Sequence, residues 1–322
     1  MLNRSAFISL TVFTISLLVS IIAAEAVLRF NNSSMKNYNI EMWRYARELK
    51  IPSALPELGH EHLKNKSALL QSVNIRLNSW GLRGGPVSPL PIGGRRILFL
   101  GGSITLGWGV PEEQTMTARL EQMFRAQGDT VQVFNAGIGN YNAVRYTENF
   151  FRNLKDLNPT DIVVHYFLRD AEVLEPGGGN ILLRNSELAV TIWAAIQNTL
   201  APHGENVLDE HYKSVYDPSY PGFQTMKAEL KKLAEYASNK NIRIYLAMVP
   251  DVHNLTDYPF GGIHEQMKQL SIELGYTYVD LLPGFANLKP EEIWAMPGDP
   301  HPNALGQEIM ADQLFPVLQV AP

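Results

Sequence analysis

The chain has 322 residues, 45% of them hydrophobic and 18% charged, enough apolar content for one large α/β body with extra segments. Its 27 Lys and Arg against 32 Asp and Glu leave a net charge of -5. With no basic run, this excludes the electrostatic footprint of a nucleic-acid binder. There is no cysteine, which excludes thiolate catalysis, disulfides and cysteine-based zinc sites.

Residues 5–24 carry no charge and are rich in Leu, Ile, Val and Phe. As a helix this run spans about 30 Å, the thickness of a bilayer hydrocarbon core. Arg4 and the amino terminus precede it, which orients the amino terminus inward and the body outward. Residues 1–30 therefore read as a single-pass anchor in the cell membrane, with the body on the extracytoplasmic (periplasmic) side. Ala24-Glu25-Ala26 makes a cleaved signal peptide the competing reading, although the run exceeds the usual apolar length of about 7–15 residues.

Residues 31–94 read as a lead-in packing on the body, broken by Pro52, Pro56, Pro86, Pro89 and Pro91 and by several glycines. Within it, the motif from Asn78 to Gly84 is expected to pack on the body. His60 and His62 stand in a polar loop and are expected to be solvated rather than to hold a metal.

From Arg95 onward, strand and helix patterns alternate. Strands are predicted over 97–100, 131–135, 161–167, 242–249 and 277–281. Helices are predicted over 112–126, 142–157, 224–238, 264–274 and 304–314. Such alternation predicts a five-stranded parallel sheet in a three-layer α/β/α sandwich, flavodoxin-like in architecture, over residues 95–322. Residues 171–221 interrupt it as a long insertion after the third strand, with Gly177-Gly178-Gly179 and an apolar stretch over 181–200. The stretch is expected to be a packed surface helix, the alternatives being a helix lying over the site or against the membrane, and His203 and His211 are expected to be polar loop residues. Insertions at strand carboxyl ends form lids and substrate walls.

Two places carry chemistry. The first strand leaves through Gly101-Gly102 to Ser103, which puts a hydroxyl at the carboxyl end of a buried strand, where α/β proteins place reacting groups. Read only as a strand–helix turn, Ser103 would be a cap. Near the far end stands Asp299-Pro300-His301-Pro302. Each proline disfavours helical geometry in the residue before it, so Asp299 and His301 are extended. Two positions apart, their side chains emerge on one face, on the same sheet edge as Ser103. Histidine is suited to take a serine's proton, and a carboxylate beside it fixes its tautomer.

These blocks resemble those of the SGNH hydrolases, also called the GDSL-like esterase/lipase superfamily, over roughly residues 95–314. Gly101-Gly102-Ser103-Ile104-Thr105 is similar to the first block, with Gly102 where Asp is usual. The resemblance implies Ser103 as nucleophile and, through its backbone N–H, as an oxyanion donor. It implies His301 as base and Asp299 as orienter, although the family spacing is Asp-x-x-His and here it is Asp-x-His. Asn135-Ala136-Gly137-Ile138-Gly139-Asn140 is similar to the glycine block, whose backbone donor to the oxyanion is either Gly139 or Asn140. In the third block, Tyr166-Phe167-Leu168-Arg169-Asp170, Arg169 stands in the place of the oxyanion-hole asparagine. Its guanidinium can replace the amide, fill the pocket or bind an anionic sugar. A lost donor there would cost roughly 10²–10³ in rate.

With the apolar anchor, the resemblance implies an exported Ser-His(-Asp) esterase or O-acyltransferase. Its expected substrates are ester groups, O-acetyl first, of an extracellular polysaccharide or cell-wall glycan, with lipid or small esters as the other candidates. The alternative is a weak or inactive relative that binds glycan or scaffolds an envelope complex, favoured by Arg169. An α/β-hydrolase elbow fails at Thr105. No nucleotide partner is expected, because residues 101–109 hold neither a Walker motif nor a complete Gly-x-Gly-x-x-Gly. His264-Glu265 has Lys268 where a zincin needs its second His, and reads as a helix start. No metal or cofactor is called for.

Overall fold

The computed structural model describes residues 4–175, 180–201, 204, 207–297 and 299–319. Gly177, Gly178, Gly179 and His203, named above, lie outside the described residues. The chain opens with α1 (Arg4–Asn31), a helix long and apolar enough to cross a membrane and with no buried residue. After it come α2 (Tyr38–Glu48) and two short antiparallel pairs, β1 (Lys50–Pro52) with β2 (His60–His62) and β3 (Lys66–Leu70) with β4 (Val73–Leu77).

The body follows as β5 (Arg95–Gly101), α3 (Ser103–Leu106), α4 (Met116–Ala126), β6 (Val131–Gly137), α5 (Ala143–Asn149) and β7 (Asp161–Tyr166). An inserted group of helices, α6 (Ile181–Asn185), α7 (Glu187–Leu200) and α8 (Val207–Val215), precedes α9 (Pro221–Asn239). The chain then runs through β8 (Arg243–Met248), α10 (Gly261–Leu274), β9 (Thr277–Asp280), α11 (Pro290–Ile293), β10 (Trp294–Met296), β11 (Asp299–Pro302) and α12 (Ala304–Gln319).

Five strands form one parallel sheet in the order β6-β5-β7-β8-β9. Alternate residues of each strand feed opposite faces, as the period of two requires. Leu98, Leu100, Ile162, Val164 and Leu246 enter one core with Tyr146 of α5, Phe150 just beyond it and Leu230 of α9. Ile97, Phe99, Val163 and Ala247 enter the other with Phe124 of α4 and Met310 and Leu314 of α12. The result is the three-layer α/β/α sandwich. The strand order reverses direction at β5, so its carboxyl end is the switch point where such sheets bind ligands.

Two predicted helices are interrupted. A 3-10 turn over Glu112–Gln114 precedes α4, which starts afresh where the Thr115 hydroxyl accepts the Ala118 N–H. Beyond Asn149, α5 passes into a π turn over Phe150–Leu154 and a 3-10 turn over Lys155–Leu157.

Residues 31–94 make a third core, in which Tyr45, Leu49, Leu70 and Ile75 close over Leu106 and Trp108 of the body. Arg83, buried, donates to the carbonyls of Leu106, Gly107 and Val110, while its own N–H reaches Asn135 O on β6. The expectation of solvated histidines is corrected here. His60 and His62 lie buried in β2, bonded respectively to Gly139 O and to Tyr45 Oη and Gly81 O.

Burial holds the His60 imidazole down at about 2, His62 at about 3 and His165 at about 3. All three are neutral in the fold but titrate near 6.5 when unfolded. Asp170 works the other way, because burial pushes its carboxyl up to about 8. As pH falls from about 6.5 to 5 the excess of protons on the unfolded chain grows to about two, and stability falls with falling pH, each net proton contributing about 1.4 kcal/mol per pH unit. Urea unfolding at pH 7 and pH 5 checks this; an unchanged midpoint would place these histidines in water.

Candidate active site

The β5 strand delivers Ser103 through a turn that only glycine permits. A Cβ at Gly101 would lie 2.1 Å from Thr105 Oγ1 and 2.8 Å from His165 O, and one at Gly137 2.2 Å from Leu106 N. β5, β6 and α3 thus meet backbone to backbone, and Ser103 becomes the first residue of α3 rather than its cap. Its N–H, at the helix start, has no intrahelical acceptor.

From the other end of the chain, β11 brings His301 Nε2 to 2.7 Å from Ser103 Oγ. His301 Nδ1 lies 2.5 Å from Asp299 Oδ1, which also accepts the His301 N–H at 3.2 Å. With Nδ1–H donating to the carboxylate, Nε2 is the acceptor for the serine hydroxyl. The shorter Asp-x-His spacing therefore still closes the pair, because extended backbone at β11 points both side chains to one side. Burial pushes the Asp299 carboxyl up, but hydrogen bonds from His301 and Gln71 outweigh it and hold the group below its ordinary value.

Gln71 is one of several contributors from residues 31–94 that have no signal in the sequence. It sits with Ser72 in the β3–β4 turn, both at positive φ (48° and 62°), and its Nε2 donates to Asp299 Oδ2 at 3.0 Å. Tyr38 stacks on the His301 ring, 5.9 Å between centroids at 28°.

The Gly139 peptide is gripped on both sides. Its N–H donates to Tyr45 Oη at 3.1 Å, and its carbonyl accepts from Lys50 Nζ at 2.7 Å and His60 Nε2 at 3.0 Å. The Gly139 N–H, one of the two expected oxyanion donors, is thus already engaged by a hydroxyl. Asn140, in the left-handed region at φ 65°, lines the cavity, and among the described residues its N–H has no acceptor.

Above Ser103 opens a cavity of about 690 Å³. Arg169 lines it, with Nε donating to Glu172 at 3.1 Å; Glu172 also holds His211 Nε2 at 3.0 Å, so His211 belongs to the cavity wall. The Asp-x-His spacing recurs on the same wall at Asp251-Val252-His253, where Nδ1 meets Asp251 Oδ1 at 2.8 Å. His253 has no hydrogen bond to Ser103 among the described residues, so spacing alone does not single out the base. His264 lies inside α10, bonded to Tyr258 and Asp280. Among the described residues no group of three or more His, Asp or Glu is arranged to hold a metal ion.

A sequence model described as the GDSL-like lipase/acylhydrolase family matches residues 99–309. The chain belongs to that family. It is a serine ester hydrolase by membership, and the match runs from β5 into α12, enclosing Ser103 and His301. No curated protein matches this acylhydrolase. Among solved structures it is similar to the esterase EstA from Pseudoalteromonas sp. (15% identity, 70% of this chain and 97% of that one, TM-score 0.44). It is also similar to a catalytic mutant of Axe2, an acetylxylan esterase from Geobacillus stearothermophilus (17% identity, 71% and 95%, TM-score 0.46).

As an oxyanion donor, Asn140 would act through its backbone N–H alone. Asn140→Gly, which accepts positive φ, is expected to keep kcat, while β-branched Asn140→Val is expected to lose roughly 10²-fold or more. Ester turnover by the two variants checks this; equal activity in both would remove Asn140 from the oxyanion site.

Proposed function

We propose that the protein is an exported, membrane-anchored serine esterase or O-acyltransferase. Its substrates are ester groups, O-acetyl first, of an extracellular polysaccharide or cell-wall glycan. The observation that carries the reading is the unbroken hydrogen-bond path Asp299–His301–Ser103 at the floor of the cavity.

Ser103 Oγ attacks the ester carbonyl while His301 Nε2 takes its proton, and Asp299 stabilises the imidazolium. The tetrahedral oxyanion accepts from the N–H groups of Ser103 and Asn140. Collapse breaks the C–O bond to the alcohol, which leaves with the proton from His301, and an acyl-serine remains. His301 then deprotonates water, or a sugar hydroxyl, whose attack releases the acyl group and restores Ser103. Arg169 supplies positive charge at the cavity wall, where it suits an anionic sugar.

The cavity supports a glycan because it exceeds the needs of an acetyl group and has the half-buried Trp43 and Trp193 in its wall. Flat aromatic faces pack on the C–H face of a pyranose while their polar edges stay hydrogen-bonded. The bare apolar surface of α1 supports the anchor.

Acetate release from O-acetylated polysaccharides, read beside acetyl transfer to added oligosaccharide, tests this. Ser103→Ala and His301→Ala are expected to lose at least about 10³-fold, and Asp299→Asn roughly 10³–10⁴-fold. Glycan binding without turnover in the wild type would instead support the non-catalytic alternative.

A further inference from the structure

The helix α7 was expected to be a packed surface helix, and only its first half is. Val190 is buried and Trp193 packs edge-on against Trp43 of α2, 5.7 Å between centroids, as part of the cavity wall. Beyond that the helix stands clear of the body. Ile192, Ile196 and Leu200 form a stripe at intervals of four along one face, Ile196 being 50% and Leu200 74% exposed. Ile181 and Leu182 of α6 are also exposed, at 77% and 64%.

This is not how the water-facing helices of the same protein are built. α9 and α10 cover their outer faces with ion pairs such as Lys231–Glu235 and Lys268–Glu265. From Leu188 to Leu200, α7 has no charged side chain at all. An uncharged helix carrying an apolar stripe marks an interaction surface.

What meets that surface follows from where α7 is tied. Glu25, the first charge after the apolar run of α1, accepts the Ser186 hydroxyl at 2.8 Å and the N–H groups of Glu187 (3.1 Å) and Leu188 (3.0 Å). Arg29 donates to Asn185 O at 2.8 Å, and Asn32 Nδ2 to Glu187 Oε2 at 2.8 Å. The junction of α6 and α7 is therefore fixed to α1 at the level where its apolar surface ends. An anchor spanning the bilayer puts that level at the membrane surface.

We propose that α7, with the start of α6, is an interfacial membrane helix whose stripe of Ile192, Ile196 and Leu200 lies in the bilayer surface at the foot of α1. This rests on reading α1 as a membrane span. Apolar faces of such helices sink about 5–10 Å into the boundary between headgroups and acyl chains. The consequence for the site is direct, because Trp193 on the same helix walls the cavity above Ser103. The active site then works against the membrane surface, on esters presented there.

The absence of native cysteine makes the test simple. Ile196→Cys, Leu17→Cys in α1 and Lys231→Cys on α9 are each labelled with a polarity-sensitive nitrobenzoxadiazole dye. The full chain is reconstituted in phosphatidylethanolamine/phosphatidylglycerol vesicles, with ester turnover confirming the fold. The expected result is that labels at 17 and 196 are quenched by lipids brominated on their acyl chains and not by aqueous iodide, while the label at 231 shows the reverse. If 17 is lipid-quenched but 196 responds to iodide, the anchor stands and this inference fails. If 196 is shielded from both quenchers and opens on dilution, a second copy covers the stripe and the inference also fails. If 17 itself is not lipid-quenched, the anchor reading fails and takes this one with it.

Discussion

The protein depends on a hydrogen bond between residues 198 positions apart, Ser103 and His301. For the two to meet at 2.7 Å, the chain must hold a tight glycine turn at one sheet edge and an extended Asp-Pro-His-Pro segment beside it. Neither is a relaxed local preference. The turn survives because Gly101 and Gly137 let backbones touch where a Cβ would collide, and the extended segment survives because each proline denies its neighbour the helix. The parallel sheet supplies the rigid edge on which both are mounted.

Around that edge, residues 31–94 act as a brace. Tyr38 stacks on the His301 ring, Gln71 holds the far oxygen of Asp299, and Tyr45, Lys50 and His60 clamp the Gly139 peptide that precedes Asn140. Each contact reaches a group beside the reacting atoms. A region that reads as a broken lead-in therefore fixes the orientation of the site, and its own small core on Leu106 and Trp108 holds it in place.

The strands and the serine–histidine pair were legible because their signals are local. Ile162-Val163-Val164 reads as a strand buried on both faces, and glycines before a serine read as a turn. The brace was not legible, because its contacts run the length of the chain, from Tyr38 to His301 and from Gln71 to Asp299, and no short spacing encodes them. Gln71-Ser72 forms a tight turn without the Gly or Asn that usually announces one. The contact that engages the Gly139 N–H comes from the Tyr45 hydroxyl, 94 positions away, and has no local signal. Asp251-Val252-His253 repeats the spacing of the pair at 299–301, and only tertiary placement tells them apart.

The central claim is that His301 activates Ser103. Its most direct test is the rate at which a fluorophosphonate modifies the intact protein, with the modified residue mapped by peptide mass. The account predicts a single adduct on Ser103, formed far more slowly in His301→Gln. An unlabelled wild type, or equal rates in the two proteins, would contradict it.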